Sequence, residues 1–340
     1  MAWAFLPALP ACMPAFVIFM PPFDPLFRSP HLQTIAGHLW RRPAGRFPLE
    51  RRLYETEPGV RVLVESQRPG GPAAGEIVLV HGLEGAGDAG YMRGLSAAAL
   101  EAGFAAHCFH MRTCGGTERL CSTLYHAGLT SDLLAVLRDF QREGRAPVFL
   151  VGFSLGGNVA LKLAGELGSS AAPLIRGVCA VSTPLDLEAS ARRLAQPQNR
   201  LYELRFVRRM RSRLAATGRY AKADLAGLWS LRAIDDRITA PSFGFGGASH
   251  YYSTQSAIRY LHRLEVPVLL VQAKDDTFVP FEAFESELVR RNPRIELAAP
   301  EHGGHLGFLA RGRNRFWADL VLMRWIIRQN ATKRPFEPSR

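Results

Sequence analysis

Six short, largely apolar runs, alternating with stretches of helical periodicity, limit what this chain can fold into more than any other feature. The runs are Ile77–Val80, Phe104–Phe109, Val148–Gly152, Val178–Val181, Val266–Gln272 and Ile295–Ala298. Helical spacing marks Tyr91–Ala102, Thr130–Arg142, Gly157–Leu167, Phe281–Arg290 and Arg315–Gln329. A strand apolar on every residue is one buried on both faces. Strand and helix in alternation then predict an α/β chain with a doubly wound, mostly parallel sheet. Two alternating runs come first, Leu49–Glu55 and Val60–Ser66. The Pro58-Gly59 pair between them predicts a hairpin.

The rhythm breaks once, between Ser182 and Val266. Within that interval Arg192 to Lys222 holds ten basic residues against one acid, Glu203. Leu201, Leu204, Phe206, Val207, Met210 and Leu214 give it a helical apolar face. An insertion here sits above the strand ends, where a lid belongs. We place a lid over residues 186–255 of a single domain spanning 27–330, with a tail over 331–340. A chain of 340 residues is long enough for such a domain, and 47% hydrophobic against 21% charged residues excludes wholesale disorder.

The formal net charge is +12. No zinc-finger spacing or aromatic RNP-type run accompanies it, so nucleic acid is not an expected partner. A basic run is usually a solvated face; the alternative is contact between the lid and an anionic membrane. Five cysteines, an odd number without metal-ligand spacing, point to a reducing, cytoplasmic compartment, with peripheral contact at the inner membrane as the variant of that reading. No motif calls for a metal or a cofactor.

The first 23 residues carry no charge and include Pro7, Pro10, Pro14, Pro21 and Pro22. That is a poor signal peptide and a poor spanning helix. Three readings stand: a start codon assigned too early, with Met13 or Met20 as the true start; a loose membrane-associated tail; a packed arm. The first is preferred.

The chemistry centres on Gly152-Phe153-Ser154-Leu155-Gly156. A G-x-S-x-G pentapeptide between a strand run and a helical run is the setting of a nucleophile elbow. The glycines allow a sharp turn at close backbone approach. The following helix start aims amide donors at a developing oxyanion. His81-Gly82-Leu83-Glu84-Gly85 follows an earlier strand, where a second donor belongs, so Leu83 and Leu155 are the expected oxyanion N–H groups. His81 is expected to brace this loop.

The acid should follow a later strand and the base the last one. Asp275 and Asp276 compete for the first role. Asp276, four residues before Pro280, is preferred, with Asp275 as a turn residue. His302 and His305 compete for the second. His305, in a glycine-flanked loop that must reach the serine, is preferred. The order Ser154, Asp276, His305 is the one this strand–helix architecture uses.

The segments Ser29-Pro30-His31-Leu32-Gln33-Thr34, His81-Gly82-Leu83-Glu84-Gly85, Gly152-Phe153-Ser154-Leu155-Gly156-Gly157-Asn158, Asp235-Asp236-Arg237-Ile238-Thr239-Ala240-Pro241, Tyr251-Tyr252, Asp275-Asp276 and His302–Phe308 resemble the YheT-like branch of the α/β hydrolases, and the resemblance runs from about Phe27 to Trp325. The resemblance implies the α/β-hydrolase fold and a serine hydrolase cleaving carboxylic esters, either short- and medium-chain acyl esters or acylglycerols. It puts the charge relay on the same three residues. Acyl transfer on the same triad and a non-catalytic ligand-binding role are the alternatives. One departure stands out. Met111-Arg112-Thr113-Cys114-Gly115-Gly116-Thr117 replaces the Met-Arg-Gly-Cys-Ser-Gly-Glu-like turn of the branch, at a place expected to border the pocket. Tyr125-His126 is expected to be structural and Asp235-Asp236 to form a turn capping the lid. Phe243 and Phe245 either line an acyl pocket or belong to the core.

Overall fold

The computed structural model describes residues 21–42 and 47–332. The early-start reading of the N-terminus falls on residues outside these. Eight strands form one sheet: β1 (Glu50–Glu57), β2 (Val60–Gln67), β3 (Glu76–Val80), β4 (Ala105–Phe109), β5 (Val148–Phe153), β6 (Ile175–Val181), β7 (Val268–Val271) and β8 (Ile295–Ala298). Their order across the sheet is β1-β2-β4-β3-β5-β6-β7-β8. The first hairpin pairs antiparallel within itself and onto β4, and every other pairing is parallel. The doubly wound sheet and the hairpin predicted from apolar runs are both present.

The helices are α1 (Pro30–Leu39), α2 (Gly90–Glu101), α3 (Ser131–Arg142), α4 (Leu155–Leu167), α5 (Leu187–Leu194), α6 (Arg200–Ala216), the short turns α7 (Leu231–Ile234) and α8 (Ala240–Ser242), α9 (Ala248–Gln255), the one-turn α10 (Glu287–Arg290) and α11 (Trp317–Ala331). Period-two alternation decides which side each strand residue serves. Val78 and Val80 of β3 join a core with Leu133, Leu137 and Val159 of α3 and α4. Ile77 and Leu79 face the opposite core, with Leu95 of α2 and Leu322 of α11. Both faces of the central strands are therefore dry, as uninterrupted apolar runs require.

Two local expectations change, and one helix is added. Phe281–Arg290 is not one helix: a 3₁₀ turn covers Phe281–Glu285, Ser286 is extended, and α10 follows. Phe281 and Phe284 stack at 5.8 Å, and an i,i+3 pair meets best in the tighter 3₁₀ geometry. Leu201 leaves the predicted apolar face of α6 and is 82% exposed. It lies six residues before Val207, hence about 120° round the helix from the buried Val207–Met210–Leu214 stripe. Helix α1 was visible only as a motif. Its capping signal is nevertheless in the sequence, since Ser29 caps the helix by accepting the Leu32 N–H and Pro30 occupies the first turn.

Candidate active site

Strand β5 ends in a sharp turn at Ser154, whose φ of 51° and ψ of −121° lie outside the usual regions for a residue with a side chain. The flanking glycines make that turn feasible. A Cβ on Gly152 would come within 2.3 Å of the Gly156 carbonyl oxygen, and one on Gly156 within 2.2 Å of the Val80 carbonyl oxygen. The backbone is so close here that only hydrogen fits. Helix α4 starts at the next residue, Leu155.

The loop after β3 comes up against the serine. A Cβ on Gly82 would sit 3.1 Å from Ser154 Cβ. His81 is fully buried and braces this loop as expected: Nδ1–H donates to the Gly82 carbonyl at 2.8 Å, and Nε2 accepts the Met111 N–H at 3.1 Å. Burial lowers its pKa to about 3, so it stays neutral and keeps one tautomer. Leu83 and Leu155 both line the cavity above Ser154, and among the described residues neither N–H has a protein acceptor.

Of the two aspartates and two histidines that compete in sequence, one pair reaches the serine. His305 Nε2 lies 3.0 Å from Ser154 Oγ, and His305 Nδ1 lies 3.1 Å from each carboxylate oxygen of Asp276. Asp276 is buried, and its carboxylate accepts Phe278 N–H at 2.8 Å, Val279 N–H at 3.1 Å and Gln272 Nε2–H at 3.0 Å. Three donors plus the imidazole fix its orientation. Asp275 and His302 instead pair with each other at 3.2 Å, and Asp275 accepts the Gly304 N–H at 2.9 Å, which holds the histidine loop in shape.

The cavity over Ser154 is walled by Leu83, Leu124, Leu187, Met210, Leu214 and Ile234 among others, mostly aliphatic. Several wall residues lie in the 186–255 interval, so that interval covers the serine. Asp235 also faces this cavity, buried, with the Tyr252 hydroxyl donating to it at 2.5 Å. Burial raises its pKa to about 6. The Asp235-Asp236 pair, expected to form a turn, instead begins a π-helical segment over Asp235–Thr239, from which Asp236 accepts the Ala248 N–H at the start of α9. Asp235 could not be told from its neighbour in sequence; the signal it left was only its place in a motif.

Tyr125 and His126 both line the cavity. Tyr125 donates to Glu84 at 2.9 Å. Glu84 also receives Arg213 Nε from α6 at 2.8 Å, and Arg213 reaches Thr113 at 2.7 Å. The altered Met111–Thr117 turn thus does not border the cavity; it supports the wall from behind through Thr113. Phe243 and Phe245 pack on the His126 ring at 4.5 and 5.5 Å and stay outside the cavity wall. The four described cysteines, Cys108, Cys114, Cys121 and Cys179, are buried and free. No helix among the described residues is long and apolar enough to cross a membrane.

Comparison with known proteins agrees with this architecture. The alpha/beta hydrolase family profile matches residues 77–318. The chain is similar to a putative esterase of Escherichia coli, YheT, with 34% identity over 83% of this chain and 85% of that one. It is also similar to a monoacylglycerol lipase of Saccharomyces cerevisiae, with 26% identity over 74% of this chain. It spans only 58% of the length of that yeast relative. Among solved structures, an esterase of Pyrococcus furiosus superposes with a TM-score of 0.54 at 17% identity, covering 92% of this chain and 97% of its own. The last likeness bears on fold alone. With the profile spanning most of the chain and the bacterial relative matched over more than four fifths of both chains, the chain belongs to the α/β-hydrolase family, on its YheT-like branch.

Proposed function

We propose that the chain hydrolyses carboxylic esters through an acyl-enzyme on Ser154, with His305 as general base and Asp276 as the group that orients it. The observation that carries this is the unbroken contact from Ser154 Oγ through the imidazole to a buried, triply hydrogen-bonded carboxylate. In the first half-reaction Oγ bonds to the ester carbonyl carbon as its proton passes to His305 Nε2. Negative charge builds on the carbonyl oxygen, and the Leu83 and Leu155 N–H groups supply two free donors for it. Collapse breaks the carbon–oxygen bond to the alcohol, which leaves with the proton from Nε2. Water, deprotonated by the same nitrogen, then releases the acid. Asp276 holds the Nδ1–H tautomer and stabilises the imidazolium.

Residues 186–255 act as the lid in this reading. Their side chains give the cavity its aliphatic wall, which favours an acyl chain of short to medium length or a monoacylglycerol. The test is a series of p-nitrophenyl esters from C2 to C16, with fluorophosphonate labelling, on wild type and Ser154→Ala. Labelling and turnover lost together in the variant would support the proposal. Folded wild type that neither labels nor turns over any ester would overturn it.

A further inference from the structure

Helix α1 presents an apolar stripe to solvent. Leu32, Ile35 and Leu39, at i, i+3 and i+7, are 51%, 45% and 70% exposed, and Trp40 follows at 39%. With Phe27 they line a shallow groove. Exposed apolar residues scattered singly are ordinary, but three on one face of a ten-residue helix with a tryptophan at its C-cap are not.

The stripe lies beside the basic helix. His31 stacks on Tyr202 of α6 with ring centroids 5.8 Å apart, and Arg205 of α6 meets His38 at 2.7 Å. Along α6, Leu201, Arg205, Arg208 and Arg209 are exposed. Helix α1 has no acidic residue, and the single acid of α6, Glu203, is buried and paired with Arg200. Arg28 and Arg41 extend the positive rim at either end of α1.

We propose that the exposed stripe of α1 and the arginines of α6 form one docking face for an anionic lipid bilayer. Aliphatic side chains and a tryptophan flanked by arginines along α6 and at both ends of α1, with no acid among them, match both layers of a bilayer surface: the acyl boundary and the phosphate plane. A second copy of the chain is a worse fit. Two such faces would bring like charges together, and the apolar stripe is small beside the ~800 Å² per partner of a stable interface. The face also adjoins the catalytic loop, since Thr34 on the opposite side of α1 contacts His305. Docking would therefore hold the cavity near esters dissolved in the membrane.

The test uses the full chain in vesicle flotation, with phosphatidylcholine alone and with about one quarter phosphatidylglycerol, at ~0.1 M and ~0.5 M salt. The comparison variants are Leu32→Ser/Leu39→Ser and Arg208→Glu/Arg209→Glu, all exposed positions outside the catalytic machinery. The expected result is binding to the anionic vesicles at low salt, about tenfold weaker in either variant and at high salt. Hydrolysis of a soluble p-nitrophenyl ester should stay unchanged in both, which separates this face from the proposed chemistry. Failure of wild type to float, equal binding to phosphatidylcholine alone, or binding unaffected by either double substitution would each overturn the proposal. So would a concentration-dependent dimer that either variant abolishes while vesicles are ignored.

Discussion

The Thr34 hydroxyl of α1 accepts the backbone N–H of His305 at 2.9 Å and gives its own proton to the Pro30 carbonyl at 2.7 Å. Two residues distant in sequence are thus joined through the backbone of the loop that carries the imidazole. Neighbouring Gln33 locks the same loop further on: its side chain donates to the Phe27 and Leu309 carbonyls and accepts the Leu309 N–H. Every polar atom of that buried amide side chain is used.

Thr34→Val keeps the shape and removes the acceptor. The expected outcome is a fall in kcat of about tenfold with KM little changed, because the loss is one of positioning. Thr34→Ser should restore most of the rate. A Val variant with wild-type kcat would show that the loop is held without this contact.

Ser154→Ala and His305→Ala should lower kcat by about 10⁴ or more, and Asp276→Asn by a similar order through the wrong imidazole tautomer. Combining any two should add little, since the three act as a unit. Progress curves on one ester for the singles and the Ser154→Ala/Asp276→Asn double check this. Multiplicative losses would mean the residues work independently.

The parts legible in sequence were those with local signatures. Continuous apolar runs marked the buried strands, and G-x-S-x-G between a strand and a helix marked the elbow. What stayed hidden depends on tertiary contact. The spacing to Pro280 favours Asp276 over Asp275 but leaves either able to face the histidine, and the geometry decides through which carboxylate faces His305 and which faces His302. Asp235 is told from Asp236 only by the turn of a π-helical segment, Asp235–Thr239, which sends one side chain into the cavity and the other to the N-terminus of α9. Glu84 and Arg213 pair between the β3 loop and α6, two segments whose order in the chain gives no hint of contact.

Gly156→Ala should be among the most damaging single-methyl additions available. The new Cβ meets backbone, the Val80 carbonyl oxygen at 2.2 Å, which cannot swing aside as a side chain would. Overpacking of this kind costs about 1–3 kcal/mol or more. Chemical denaturation should show it, whereas Gly70→Ala, with nothing within 4 Å, should change stability by less than about 0.5 kcal/mol. Equal midpoints for the two variants would mean the elbow relaxes far more freely than its geometry implies.

Asp235 makes stability depend on pH in a direction opposite to most carboxylates. Its ordinary value is 3.8, and burial raises it in the folded chain to about 6, with hydrogen bonds from the Tyr252 and Thr239 hydroxyls pulling the other way. The folded state therefore binds this proton more tightly than the unfolded one. Below the unfolded value both states are protonated and the group is neutral to stability. As pH rises toward the folded value, the unfolded chain releases the proton first and gains, so stability falls and then levels off above about 6. The shift corresponds to something on the order of 3 kcal/mol for this fully buried group. Asp235→Asn cannot ionise and can still accept from Tyr252. Its melting temperature should match wild type near pH 4 and exceed it at pH 8, with the gap opening between those values. A difference that is constant across pH would show that Asp235 ionises as readily inside the cavity as in the unfolded chain.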